Sequence, residues 1–231
     1  MHWIRTGWAV LLAGAGVQAH AVARDSEAVP FEPEIRQFEL ADRQTPPPRG
    51  PVLFVGSSSI RLWTNLPAVF PGEPVLNRGF GGSTMRDLLL HFDRVVTPYR
   101  PRMIVVYEGD NDLARGAPAD AVASDVLEFL NRVERQLPGT PVILLGVKAS
   151  PSRRSLMEAQ RDLNARMAGF ARQHPNIEFA DTFAVVLDPD GEPDPAYFEP
   201  DALHLNAAGY AAWTPVIERA IRRARTGGDR P

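Results

Sequence analysis

Four short stretches of this 231-residue chain carry side chains that could do chemistry, three of them beside glycines that leave the backbone open to a ligand. The first is Gly56-Ser57-Ser58-Ser59, directly after an apolar run. Three hydroxyls at a strand-to-helix turn offer a nucleophile, although serines there also serve simply as helix caps. The stretch is neither a G-x-S-x-G elbow nor a G-x-x-x-x-G-K-[ST] phosphate loop. The second, Asn77–Thr84 (NRGFGGST), holds three glycines whose N–H groups a ligand can approach closely. The third, Tyr107–Asp112 (YEGDND), supplies Asn111 as an amide donor. Its acids suggest a metal, but no histidine is near in sequence, so no metal is expected, and Asp112 reads equally well as a buried brace. In the fourth, Asp201-Ala202-Leu203-His204, the acid precedes the imidazole by three residues. That spacing allows a carboxylate to hold the ring in the tautomer that accepts a proton.

Elimination among the five histidines favours the last of them. His2 and His20 belong to the N-terminal segment. His91 falls on the outer face of a helical stripe, and His174 sits beside a Pro-Asn helix stop. His204 alone lies in a loop that the topology returns to the strand ends. Taken by themselves, the residues leave Ser57, Ser58 and Ser59 all open as the reactive hydroxyl.

The elements that must position these groups follow from periodicity. Short apolar runs at Pro51–Val55, Pro74–Leu76, Met103–Tyr107, Pro141–Val147 and Ile177–Ala180 suit strands covered on both faces. Between them lie helical patterns. Met85, Leu88, Leu89, Phe92, Val95 and Val96 form one stripe over Thr84–Val96. Pro118 opens a helix lined by Val122, Val126, Phe129, Leu130 and Val133, and Leu156–Phe170 and Ala207–Ala224 supply two more. Alternating strands and helices imply a parallel sheet with right-handed crossovers, hence a three-layer α/β/α sandwich of about five strands. Ligands bind such sheets beyond the carboxyl ends of the strands. Ahead of this pattern, Phe31, Ile35 and Phe38 share one side of a short helix that Thr45–Pro51 (TPPPRGP) breaks.

Composition narrows the class. At 44% hydrophobic and 23% charged the chain is an ordinary globular protein. A net charge of −3 advertises neither nucleic acid nor an anionic membrane as partner. Only Lys148 among the 25 basic residues is a lysine, which reads as genome base composition. Arg5, the apolar stretch Gly7–Val17 and the small pairs Ala19/Ala21 and Ala21/Ala23 have the form of a cleaved signal peptide. The apolar stretch is short for a membrane span, so no stable insertion is expected after cleavage. With no cysteine there are no disulfides, thiol nucleophile, Cys-based zinc site or lipidated N-terminal Cys. The expected layout is a signal peptide over 1–23, an arm and Pro-rich linker over 24–50, one catalytic domain over 51–225 and a frayed tail over 226–231.

Together the four blocks resemble the SGNH hydrolase superfamily, the GDSL esterases and lipases, over about residues 51–215. The resemblance implies a flavodoxin-like sheet of order 2-1-3-4-5 and no cofactor. It assigns Ser58 as nucleophile, His204 as base, Asp201 as its acid, and Ser58, Gly82 and Asn111 as oxyanion donors. One departure is that Ser57 stands where the family usually has Asp, as in a bacterial subgroup with this Ser-rich variant. The implied activity is hydrolysis of a small-molecule or glycan ester by a secreted or periplasmic enzyme. Acetylated carbohydrate is favoured because no large apolar lid is evident. A lysophospholipase or short-chain lipase, a non-catalytic glycan-binding module and an O-acyltransferase are the alternatives. Trp63, Phe80, Tyr197 and Phe198 are candidates for the pocket border, and the Pro- and acid-rich loop Asp188–Pro200 for one wall.

Overall fold

The computed structural model describes residues 29–226. The signal-peptide reading of residues 1–23, and the tail beyond Thr226, lie outside the described residues. Five strands form one sheet: β1 (Val52–Gly56), β2 (Val75–Gly79), β3 (Met103–Tyr107), β4 (Val142–Leu145) and β5 (Ile177–Ala180). All adjacent pairs are parallel and the order is β2-β1-β3-β4-β5. This is the sandwich and strand order that the resemblance implied.

Side-chain alternation along the strands divides the core in two. Leu53, Val55, Ile104, Val106, Val142 and Leu144 face one layer. That layer contains α1 (Glu32–Gln44), α4 (Met85–Leu90), α5 (Phe92–Val95), α7 (Ala119–Gln136) and α8 (Met157–Gln173). Val52, Phe54, Met103, Val105, Tyr107, Ile143 and Leu145 face the other. There they meet α2 (Ser58–Arg61), α3 (Leu66–Val69) and α9 (Ala207–Arg225). The short α6 (Asp110–Ala114) sits directly beyond β3. No helix among the described residues is long and apolar enough to cross a membrane.

The N-terminal arm is part of the fold. Ile35 of α1 is fully buried, and Phe31 and Phe38 pack beside it. Burying one such side chain contributes roughly 1.5–3 kcal/mol, enough to hold a short helix against the domain. Ion pairs fix its orientation: Arg94 reaches Glu39 at 2.7 Å and Glu32 at 2.5 Å, and Arg78 reaches Asp42. Thr45 then takes extended backbone and the prolines follow.

Three details differ from the sequence reading. The stripe over 84–96 is two helices, α4 and α5, broken at His91. His91 is not on an outer face; it is 2% exposed, with its ring edge-to-face against Phe80. Its Nε2 lies 2.6 Å from the Pro30 carbonyl, which can only accept, so Nε2 carries the proton. Periodicity within α4 could not reveal this, because the covering arm arrives from 61 residues away. Finally, β2 runs on through Asn77 and Arg78, polar residues that concealed it. Asn77 Nδ2 donates to the Ile60 carbonyl at 2.7 Å, and the Arg78 guanidinium lies between the Phe38 and Tyr99 rings.

Gly56 closes β1 at φ 129°, and a Cβ there would stand 2.0 Å from the Tyr107 carbonyl oxygen. The β1 and β3 backbones therefore meet at a contact that only glycine permits. Gly56→Ala is expected to lower unfolding free energy by about 3 kcal/mol or more, or to prevent folding. Urea denaturation checks this, and a change below about 1 kcal/mol would count against the constraint.

Candidate active site

The contact at Gly56 aims the next residues. Ser57 N–H donates to the Tyr107 carbonyl at 3.1 Å, and Phe80 N–H donates to the Gly56 carbonyl at 2.9 Å. The ends of β1, β2 and β3 are thereby tied together. Ser57 and Ser59 are buried at 2% and 3% exposure, whereas Ser58 reaches the surface. Only Ser58 among the three serines meets an imidazole: its Oγ lies 3.0 Å from His204 Nε2.

The ring is oriented from behind. His204 Nδ1 lies 2.6 Å from Asp201 Oδ2. A carboxylate only accepts, so Nδ1 is the protonated nitrogen and Nε2 presents its lone pair to the Ser58 hydroxyl. Asp201 Oδ1 also accepts the backbone N–H groups of Leu203 and His204, each at 2.9 Å. The His204 side chain, followed by these N–H groups, holds the Asp201 pKa down to about 2. The loop itself turns through Ala202 at φ 57°. The Ala202 carbonyl accepts Ser152 N–H at 3.0 Å, and the His204 carbonyl accepts Glu199 N–H at 2.8 Å. Asn206 then caps α9 through the N–H groups of Ala208 and Gly209.

On the opposite side stand Gly82 and Asn111. Gly82 adopts φ 82°, a conformation that any side chain would strain, and its carbonyl accepts Arg115 Nη2 at 2.8 Å. Asn111 Nδ2 donates to the Ser83 carbonyl at 2.9 Å, and its Oδ1 accepts Arg153 Nη2 at 2.9 Å. Because a guanidinium can only donate, Arg153 fixes which way the amide faces. The Asn111 N–H₂ is thereby turned to the Gly82–Ser83 loop.

Each acid of the YEGDND block is held in a buried bracing role. Asp110 accepts Arg153 Nη1 at 2.7 Å and Gln160 Nε2 at 3.1 Å, with Lys148 Nζ at 3.5 Å. Lys148 is 1% exposed, and burial first, then the neighbouring Arg153, pushes its pKa down against the pull of Asp110. Asp112 accepts Met85 N–H at 3.1 Å, the bracing role that was one of its two readings, and burial raises its pKa to about 6. Glu108 meets the Ser83 hydroxyl at 2.5 Å. Ser83 Oγ also lies 3.0 Å from the Phe80 carbonyl, and one hydroxyl proton cannot serve both acceptors. A protonated Glu108 resolves this by donating to Ser83, which donates onward to Phe80. Burial, which pushes the Glu108 pKa well up, agrees.

Among the described residues no group of three or more His, Cys, Asp or Glu could hold a metal ion. Of the four candidate border aromatics, Trp63 lines a cavity beside His204, and the loop Asp188–Pro200 adds Glu199 to it. Phe80 and Phe198 are core. Tyr197 packs partly buried against the α9 layer. The sequence reading missed Arg153, whose partners Asn111 and Asp110 are distant in the chain. It read Lys148 only as a mark of base composition, whereas the fold buries that amine beside Asp110.

Residues 54–212 match the model of the GDSL-like lipase/acylhydrolase family. The chain belongs to this family. It is an ester hydrolase. Comparison with curated proteins gives no match. Among solved structures, a GDSL-like lipase from Bacteroides thetaiotaomicron shares 24% identity at a TM-score of 0.70, covering 82% of this chain and 98% of that one. An acetylxylan esterase from Geobacillus stearothermophilus shares 18% identity at a TM-score of 0.60, covering 75% and 94%. Structures of that esterase described as catalytic mutants replace a serine, an aspartate and a histidine. At these identities the likeness is one of fold.

The buried acids of this GDSL-family hydrolase make its stability depend on pH. Glu108 keeps its proton in the folded chain and loses it, once unfolded, near the ordinary value of 4.5. Its contribution is therefore complete below that pH and declines as pH rises toward the folded value. Each pH unit over which only the folded carboxyl holds a proton costs about 1.4 kcal/mol. Asp112 acts in the same direction between its ordinary 3.8 and about 6. Glu108→Gln, which retains a donor for Ser83, is expected to reduce the fall in urea midpoint between about pH 5 and pH 8. An unchanged slope would show that Glu108 is ionised in the fold.

Proposed function

We propose that this acylhydrolase is an exported serine esterase with Ser58 as nucleophile, His204 as general base and Asp201 as its orienting acid. The observation that carries this reading is the chain of contacts Asp201–His204–Ser58 at 2.6 and 3.0 Å. His204 Nε2 takes the hydroxyl proton as Ser58 Oγ bonds to the ester carbon. The carbonyl oxygen becomes an oxyanion that the backbone N–H groups of Ser58 and Gly82 and the Asn111 side-chain N–H receive. As the tetrahedral species collapses, the ester C–O bond breaks and His204 Nε2–H protonates the departing alkoxide. Water then loses a proton to His204 and attacks the acyl-enzyme. Ser58 Oγ recovers that proton as the carboxylic acid leaves. Asp201, ionised down to about pH 2, balances the imidazolium formed in each half-reaction.

Acetylated carbohydrate is the substrate this reading favours. The site is open: His204 is 25% exposed and Asp201 49%. Polar sugar can reach it without displacing an apolar cover. The fold-level likeness to an acetylxylan esterase agrees with this preference. Export rests on the signal-like residues 1–23.

In a purified-enzyme assay on acetyl esters, Ser58→Ala and His204→Ala are expected to lower kcat by about 10⁴ or more. Asn111→Ala loses about 10²–10³, the usual cost of one oxyanion donor. Arg153→Met frees the Asn111 amide and leaves Asp110 to Gln160 and Lys148, so kcat falls roughly tenfold with KM little changed. Wild-type activity in Ser58→Ala would overturn the assignment. A rise in KM alone in Arg153→Met would make that residue a substrate contact instead.

A further inference from the structure

A cavity of about 740 Å³ opens beside His204, between the segment following α2 and the outer side of α9. We infer that it receives the alcohol portion of the substrate and is built for a neutral glycan of two or more sugar units. This rests on the Ser58–His204 reading and adds to it the side, size and charge of the leaving group.

The side follows from proton transfer. The departing oxygen must lie at His204 Nε2 to be protonated, whereas the oxyanion points toward Gly82 and Asn111. His204 lines the cavity, while Gly82 and Asn111 do not. A pocket on the histidine side of the serine takes the alcohol, not the acyl chain.

Size and lining define the class of alcohol. The volume lies within the roughly 300–1,000 Å³ of pockets that enclose a drug-sized molecule, far more than a methyl or ethyl group needs. Its floor is the Tyr210 ring, backed by Trp63 stacked 4.9 Å away and fixed by a 2.9 Å bond from the Tyr210 hydroxyl to the Ser59 carbonyl. Leu62, Val69 and Pro215 extend the apolar surface that the C–H faces of sugar rings can cover. Around it stand Asn65 and two carboxylates, Glu199 and Glu218, which accept hydrogen bonds from hydroxyls. Among the described residues no Lys or Arg lines the cavity. The nearby Arg61 folds instead against Gly81, where an added Cβ would stand 2.6 Å from its Nε. Arg222, which does not line the cavity, meets Glu218 at 3.8 Å and offsets part of its charge. Glu199 and what remains of the Glu218 charge still repel a phosphodiester or a uronate. The arrangement thus disfavours phospholipid head groups and favours neutral sugar.

The test compares ethyl acetate, monoacetylated xylobiose and an acetylated disaccharide carrying a uronic acid, all sharing one acyl group. Ala211 lies on the exposed side of α9 in the cavity wall, so Ala211→Trp fills the cavity without touching the catalytic groups. Wild-type kcat/KM is expected to be about 30-fold higher on acetylxylobiose than on ethyl acetate. Ala211→Trp should lower the former about tenfold and the latter less than about twofold. Glu218→Arg should narrow the gap between neutral and uronate substrates about fivefold. Equal loss on both esters, no loss on either, or preference for the uronate would overturn the inference.

Binding of free xylobiose to Ser58→Ala protein, followed by NMR titration with and without Ala211→Trp, separates the two readings. If no ester is hydrolysed yet xylobiose binds and Ala211→Trp abolishes it, the cavity binds neutral glycan, but the esterase reading falls and the leaving-alcohol assignment falls with it. If ethyl acetate is hydrolysed through Ser58 while xylobiose neither binds nor improves turnover, only the cavity assignment falls. If neither ester turnover nor binding occurs, both fall.

Discussion

All five strands run in the same direction, so every carboxyl end reaches one edge of the sheet. At β1 the path reverses: β2 lies on one side and β3 on the other. The crossovers leave opposite faces there, and the loops part to leave a crevice. Ser58 follows β1, the Gly82 loop follows β2 and Asn111 follows β3. The Gly56–Tyr107 approach draws the two central backbones together at that reversal. His204 then meets Ser58 across 146 residues of chain, a pairing that local structure alone could not produce.

The loops that form this crevice have little regular structure of their own, and buried polar struts hold them. Glu108 supports the Gly82–Ser83 turn from below, Asp112 anchors the start of α4, and Asp110 holds Arg153 against Asn111. Ser152, next to Arg153, donates to the loop that carries His204. The segment after β4 therefore braces both the amide and the imidazole while contributing neither. Burying this many polar groups is tolerable because most of their atoms find partners in one another, although Glu108 Oε2 and Gln160 Oε1 have none, and removing one partner leaves the rest costly. Rigidity near the reacting atoms and sensitivity to pH thus share a cause.

The sandwich was legible because strands covered on both faces must be apolar, as Met103–Tyr107 and Val142–Leu145 are. It was less legible where polar side chains found buried partners. Asn77 and Arg78 concealed half of β2, and His91 looked solvent-facing until the N-terminal helix was seen to cover it. At the site, the Asp201–His204 spacing carried its own geometric meaning. The choice among three serines did not, since all three share chemistry and only burial and the contact with His204 separate them. Arg153 was illegible because its role is relational: an arginine in a loop becomes a strut only once Asp110 and Asn111 face it.

Lys148 gives the molecule an unusual property. It is the sole lysine of the chain, and in the fold its amine is sealed between Asp110 and the Tyr107 ring. Apart from the α-amino group, the native protein offers amine-selective reagents nothing to modify, and a lysine-specific protease has one peptide bond to cut. Acylation or cleavage at that position requires the end of β4 to open. The rate of either reaction therefore clocks the breathing of the strut beneath Asn111, with no label introduced.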